Sequence, residues 1–111
     1  MNNRAINKAI AEFLGWKELD FHLDGKRILG DRPTFSNGKI ISYTVDQYVP
    51  DYCNDLNEMH EAKETLNFHQ QTDYVRNLMI QHKEFPMTNA FFATARQCAE
   101  AFLKTIGKWK E

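Results

Sequence analysis

The stretch 89-NAFFATARQCAEAFLKTIG-107 decides how the rest of the chain is read. Thr94 followed by Gln97 has the spacing of a reciprocal helix cap: the hydroxyl accepts from the Gln97 amide, and the Gln97 side chain reaches back to the amide of Thr94. A helix therefore starts at 94. Beyond it, Ala95, Cys98, Ala99, Phe102, Leu103 and Ile106 recur at the three- and four-residue steps of one helical face, and Gly107 is a favourable residue to end the run. Because the cap falls at Thr94, 89-NAFFA-93 is free to be a short buried strand, which would give 39-KIISYTV-45 a partner. The expected fold is α+β and helix-rich: a small sheet of short strands with four helices packed on it, α-β-α sandwich-like.

The other elements follow from the same rules. In 4-RAINKAIAEFLG-15, Ala5, Ile6, Ala9, Ile10, Phe13 and Leu14 share a helical face that stops at Gly15. Next, 19-LDFHL-23 alternates apolar and polar residues, and 39-KIISYTV-45 is rich in β-branched and aromatic residues behind the Asn37-Gly38 turn signal. Between them, 24-DGKRILGDRPTFSNG-38 holds three of the five glycines and is expected to be mostly exposed loop. After Pro50, Asp51 can cap a helix running to about Leu66. Asn67 and Gln70 repeat the reciprocal cap, and Val75, Leu78, Met79 and His82 then share a face, which predicts a helix over about 68–82.

Composition narrows the classes. A chain of 111 residues, 42% hydrophobic and 13% aromatic, suits one domain over 1–111. A formal net charge of −1 gives no overall field for nucleic acid, so a nucleic-acid role would need a local patch. No apolar run approaches the ~20 residues of a membrane span. With only Cys53 and Cys98, no CxxC and no signal-like start, the expectation is a cytosolic protein with two structural thiols.

The segment 50-PDYCNDLNEMHEAKETL-66 has the composition of an active site. Projected as one helix, Tyr52, Leu56, Met59 and Leu66 form an apolar stripe; Cys53, Asn57, His60 and Glu64 lie on a flank, and Glu58 and Glu61 on the outer face. The polar residues do not converge. One helix cannot surround a cation, and Cys53 and His60 are two turns apart, too far for a thiol–imidazole pair, so neither a metal nor a catalytic set is assigned. A metal-dependent hydrolase using His60 with Cys53 or Glu64 ranks last among the readings, and no cofactor is implied. Asn57 and His60, at the edge of the stripe, are the two polar positions that helix formation leaves unexplained. Lys26, Arg27 and Arg32 could contact phosphate, although their spacing matches no nucleotide-binding motif and the plainer account is a solvated loop. Near the C-terminus, Lys104, Lys108 and Lys110 surround Trp109, a candidate contact point; Trp16, also just past a helix-ending glycine, is a candidate neighbour.

Three blocks, 7-NKAIAEFLGWK-17, 50-PDYCNDLNEMHEAKETL-66 and 94-TARQCAEAFLKTIGKW-109, together resemble the phage ABA sandwich domain family of small phage and prophage proteins. Its members share a pattern of the type PDY…DLNAMHEAE…L followed by an AT-A-Q-AEAFL-T-GKW ending. The resemblance implies helices on both faces of a sheet, although 67–92 is mostly helix-like and leaves little length for strands. It implies no reaction and supplies no catalytic residues. The expectation is a non-catalytic phage or prophage accessory protein that binds a host or phage protein, such as a defence component, in the host cytoplasm. The alternative is a protein that sequesters a small nucleotide through Lys26, Arg27 and Arg32, an anti-defence sponge. Small phage proteins of this kind often act as homo-oligomers, which makes a homo-oligomer an expectation by analogy.

Overall fold

A computed structural model of the chain describes residues 1–21, 27–81 and 93–110. It contains helix α1 (Asn3–Phe13), strands β1 (Lys17–Phe21), β2 (Ile28–Ser36) and β3 (Lys39–Tyr48), then helices α2 (Leu56–Glu64), α3 (Phe68–Gln81) and α4 (Ala95–Thr105). Among the described residues, four helices and a three-stranded antiparallel sheet of order β1-β2-β3 make the fold α+β, as expected. Of the proposed strand at 89–93, residues 89–92 lie outside the described residues.

The caps read from local spacing are present. The Thr94 hydroxyl accepts from the Gln97 amide at 3.1 Å, and the Gln97 side-chain oxygen accepts from the Thr94 amide at 2.9 Å. Asn67 and Gln70 make the same exchange at 2.8 and 3.0 Å. Helices α1 and α4 both end on a glycine with positive φ, Gly15 at 95° and Gly107 at 73°. In each case the following amide bonds back across the last turn, Trp16 to the Ala11 carbonyl at 3.1 Å and Lys108 to the Leu103 carbonyl at 2.8 Å. Thr94→Ala removes one capping acceptor and is expected to lower the unfolding free energy by about 0.5–2 kcal/mol in urea denaturation.

Helix α4 is the axis of the core. It buries Ala95, Cys98, Ala99, Ala101, Phe102 and Leu103. Around it lie Ile6 and Ile10 of α1, Met59 and Ala62 of α2, Leu66, and Tyr74 and Leu78 of α3. On α3 the buried line is Tyr74 with Leu78; Val75, placed on the core face by the sequence pattern, is 44% exposed. Phe13 meets Phe102 edge-on at 5.5 Å, joining α1 to α4.

Two expectations about where elements begin and end are corrected. Residues 28–36 are a strand, not loop. The Asn37-Gly38 turn, with φ of 51° and 77°, joins strands directly, and Ser36 pairs with Lys39 on either side of it. A two-residue turn of this type demands an extended partner before it as well as after. Pro33 is tolerated because pairing with β1 reaches only as far as Lys17↔Asp31, so β2 borders β3 alone at that point.

The second correction concerns the start of α2. Asp55, not Asp51, is its cap, accepting from the Glu58 amide at 3.2 Å. Asp51 instead accepts from the side chains of Asn7 and Asn54, at 3.1 and 2.8 Å, and so ties the preceding turn to α1. Tyr52 and Cys53 enter the core from that turn, and Leu56, expected in the apolar stripe, is 40% exposed.

Candidate functional site

The β2–β3 hairpin leans over α2, and a cleft of about 130 Å³ lies between them. Trp16 and Leu14 come from the end of α1, Arg32, Pro33 and Phe35 from β2, Tyr52 from the turn, and Glu58, Glu61, Ala62 and Thr65 from α2 and its end. The position of Trp16 follows from Gly15, whose positive φ turns the chain back so that the indole is buried under the hairpin. Arg32 spans the cleft. Its guanidinium donates to the Glu58 carboxylate at 3.3 Å and lies 5.5 Å from the Trp16 ring. Both partners remain partly exposed, so the pair positions the side chains more than it stabilises the fold.

Tyr52 and the Trp16 indole, both buried, line the same cleft. Burial pushes the phenol well above its usual range and the Glu58 charge adds to the effect, with Arg32 opposing it. It is a neutral phenol in the wall of the cleft, not a proton-transfer group. The lining thus holds two carboxylates, Glu58 and Glu61, against one guanidinium, between the aromatic surfaces of Trp16 and Phe35. Such a site is complementary to a cation.

The residues nominated from the sequence do not meet in one place. Lys26 lies outside the described residues. Arg27 stands before β2 with its guanidinium 4.4 Å from the Tyr48 ring, in a separate depression of about 390 Å³ shared with Arg4, Asn2, Asn3, Asn7, Val49 and Asp51. Arg32 alone among them lines the cleft. Asn57 and His60 are exposed on α2, so solvent accounts for their polarity, and the edge-of-core position expected for them is corrected. The sequence alone does not bring Trp16, Phe35, Glu58 and Glu61 together as one site. The i, i+3 spacing of the two glutamates was the one local signal, and it reads equally as a solvated face.

Trp109 and Trp16 have different surroundings. The Trp109 ring has Arg96 at 5.6 Å and Lys104 at 5.8 Å, both from α4, whereas Trp16 belongs to the cleft. Arg96 also donates to the Met1 carbonyl at 3.2 Å, so this cluster holds the two ends of the described chain together.

The cysteines are buried and free. Cys53 lies in the turn before α2, not on the His60 flank; its thiol donates to the Asn3 carbonyl at 3.8 Å and its amide to the Asn7 side chain at 3.3 Å. Burial pushes the thiol up to about 11, helped by Asp51 and opposed by Arg96. Cys98 is also raised by burial, with the nearby Tyr74 side chain and Lys63 opposing the shift. Neither is a thiolate at neutral pH, so neither has nucleophilic character. Both are expected to resist a thiol reagent at pH 8 in the native protein and to react in denaturant; rapid native reaction would contradict their burial. The folded Cys53 thiol holds its proton to about pH 11, against 9.0 for an ordinary one. Its contribution to stability is therefore complete below pH 9.0 and is lost as pH rises from there to about 11.

Among the described residues no three His, Cys, Asp or Glu side chains are placed to hold a metal ion, and no helix is long and apolar enough to cross a membrane. Comparison with known protein families, curated protein sequences and solved structures finds no match to this chain.

Proposed function

We propose that the chain is a small non-catalytic accessory protein that binds a protein partner, receiving one cationic side chain of that partner in the cleft between the hairpin and α2. The observation that carries this reading is the cleft's size and lining: about 130 Å³, two carboxylates, one guanidinium and aromatic walls. Sites for small organic ligands begin near 300 Å³, whereas a single side chain fits the smaller space. An incoming lysine or arginine would meet Glu61, share Glu58 with Arg32, and lie against Trp16 and Phe35. The three sequence blocks support a phage or prophage origin, and with it action in the host cytoplasm on a host or defence component.

The test compares recovery from host extract by immobilised wild type, Phe35→Asp and Glu61→Lys. Both positions are exposed, so the variants should fold. A specific protein retained by the wild type, and bound at least ~10-fold more weakly by both variants when purified, supports the reading; tenfold is about 1.4 kcal/mol. Equal retention by all three forms would overturn it.

A second reading, sequestration of a nucleotide, is favoured by the depression of about 390 Å³, where Arg4 and Arg27 stand among the side chains of Asn2, Asn3 and Asn7. Calorimetry against a nucleotide panel separates the two readings. A Kd below about 1 mM, lost on Arg27→Ala, would favour the nucleotide, and no binding at that level removes its basis.

A further inference from the structure

We propose that two copies of this chain join through β3, edge to edge and antiparallel, about a two-fold axis at Tyr43. Among the described residues β3 has one hydrogen-bonded neighbour, β2, which leaves backbone groups along its other side for a further strand. The strand is ten residues long and exposed along nearly its whole length. Its Ile41 and Val45 side chains are 64% and 63% exposed. A long apolar edge of this kind is a template for strand addition.

The sequence of β3 specifies what is added. Ile41-Ser42-Tyr43-Thr44-Val45 reads the same chemically in both directions: aliphatic, hydroxyl, tyrosine, hydroxyl, aliphatic. A contact across a two-fold axis requires this self-complementarity, because residue i of one copy meets j of the other while j meets i. With the axis at Tyr43, Ile41 lies opposite Val45 of the second copy, Ser42 opposite Thr44, and the two Tyr43 residues opposite each other. β-Branched and hydroxyl pairs of this sort are favourable across antiparallel strands.

The irregularities of β3 share the symmetry. Gly30 pairs with Gln47 and Arg32 with Thr44, which leaves Val45 and Asp46 against one residue of β2; Thr34 pairs with Ser42 and Phe35 with Ile40, which leaves Ile41 unmatched. The two bulges therefore flank Tyr43. Bulges often guard an edge against pairing, but here their placement lets two copies present matching curvature to each other. Two three-stranded sheets joined in this way form one continuous sheet of six strands.

Analytical ultracentrifugation over a concentration series tests the contact. The wild type is expected to reach twice its 13.0 kDa mass at hundreds of micromolar and to dissociate on dilution. The Ile41→Lys/Val45→Lys double variant should stay at the monomer mass with unchanged circular dichroism and Tm, since both side chains are exposed. Under mild oxidation Tyr43→Cys should form a covalent dimer, because directly opposed positions approach within disulfide reach, whereas Ser36→Cys should not. Cys53 and Cys98 are buried and do not compete. A wild type that remains monomeric throughout, association unaffected by the two lysines, or equal cross-linking at positions 36 and 43 would each overturn the proposal.

Discussion

Phe102→Ala is expected to lower the unfolding free energy by about 3–5 kcal/mol, the largest stability effect of a single substitution considered for this chain. Phe102 is wholly buried at the middle of α4, and α4 is the element against which α1, α2 and α3 pack. Its ring also receives Phe13 edge-on at 5.5 Å, a contact that truncation removes. Alanine leaves a cavity that the surrounding helices can fill only in part, because Ile6, Ile10, Met59 and Leu103 are already fully enclosed. Urea denaturation read at a helical and an aromatic signal gives the loss directly. A loss below ~1.5 kcal/mol would mean that α4 is not the centre of the core.

Gly30→Val is expected to cost about 3 kcal/mol, by overpacking in place of a cavity. A Cβ at position 30 would stand 2.6 Å from Leu19 Cδ2, 3.1 Å from the Lys17 carbonyl oxygen and 3.3 Å from Trp16 Cε3. The leucine tip can turn aside, but the carbonyl belongs to the strand paired with β2 and the indole is buried. Valine adds two methyl groups to that crowding, so β1 must separate from β2 or Trp16 must leave its place. The variant should therefore lose cleft binding together with stability. Full stability in Gly30→Val would show that β1 and Trp16 are not seated as described.

What the sequence disclosed depended on how local the signal was. The caps at Thr94 and Asn67 and the glycine ends of α1 and α4 are each made by residues within five positions of one another, and all were readable. The strand β2 was hidden because Gly30 and Pro33 break the usual strand pattern, and the reason both are tolerated lies in β1 and β3. At the start of α2 two aspartates four residues apart compete for one role, and the tie of Asp51 to Asn7, 44 residues away, settles which becomes the cap. The cleft was least legible. Its lining runs from Leu14 to Thr65, and of the ligand-binding candidates Arg27, Arg32, Asn57 and His60 it includes Arg32 alone. Asn57 and His60 drew notice through their chemistry, yet α2 turns both towards solvent.

The two tryptophans make the cleft directly observable. Trp16 lies in it, whereas Trp109 lies between Arg96 and Lys104 of α4. The measurement is an NMR titration read at the two indole N–H resonances, with an arginine-containing tripeptide amide raised to about 10 mM against a glycine tripeptide control at equal ionic strength. The Trp16 resonance should shift saturably with the arginine peptide alone, Trp109 should stay in place, and Glu61→Lys should abolish the shift. A Trp16 resonance that ignores the arginine peptide, or that moves equally with the control, would contradict a cation-receiving cleft.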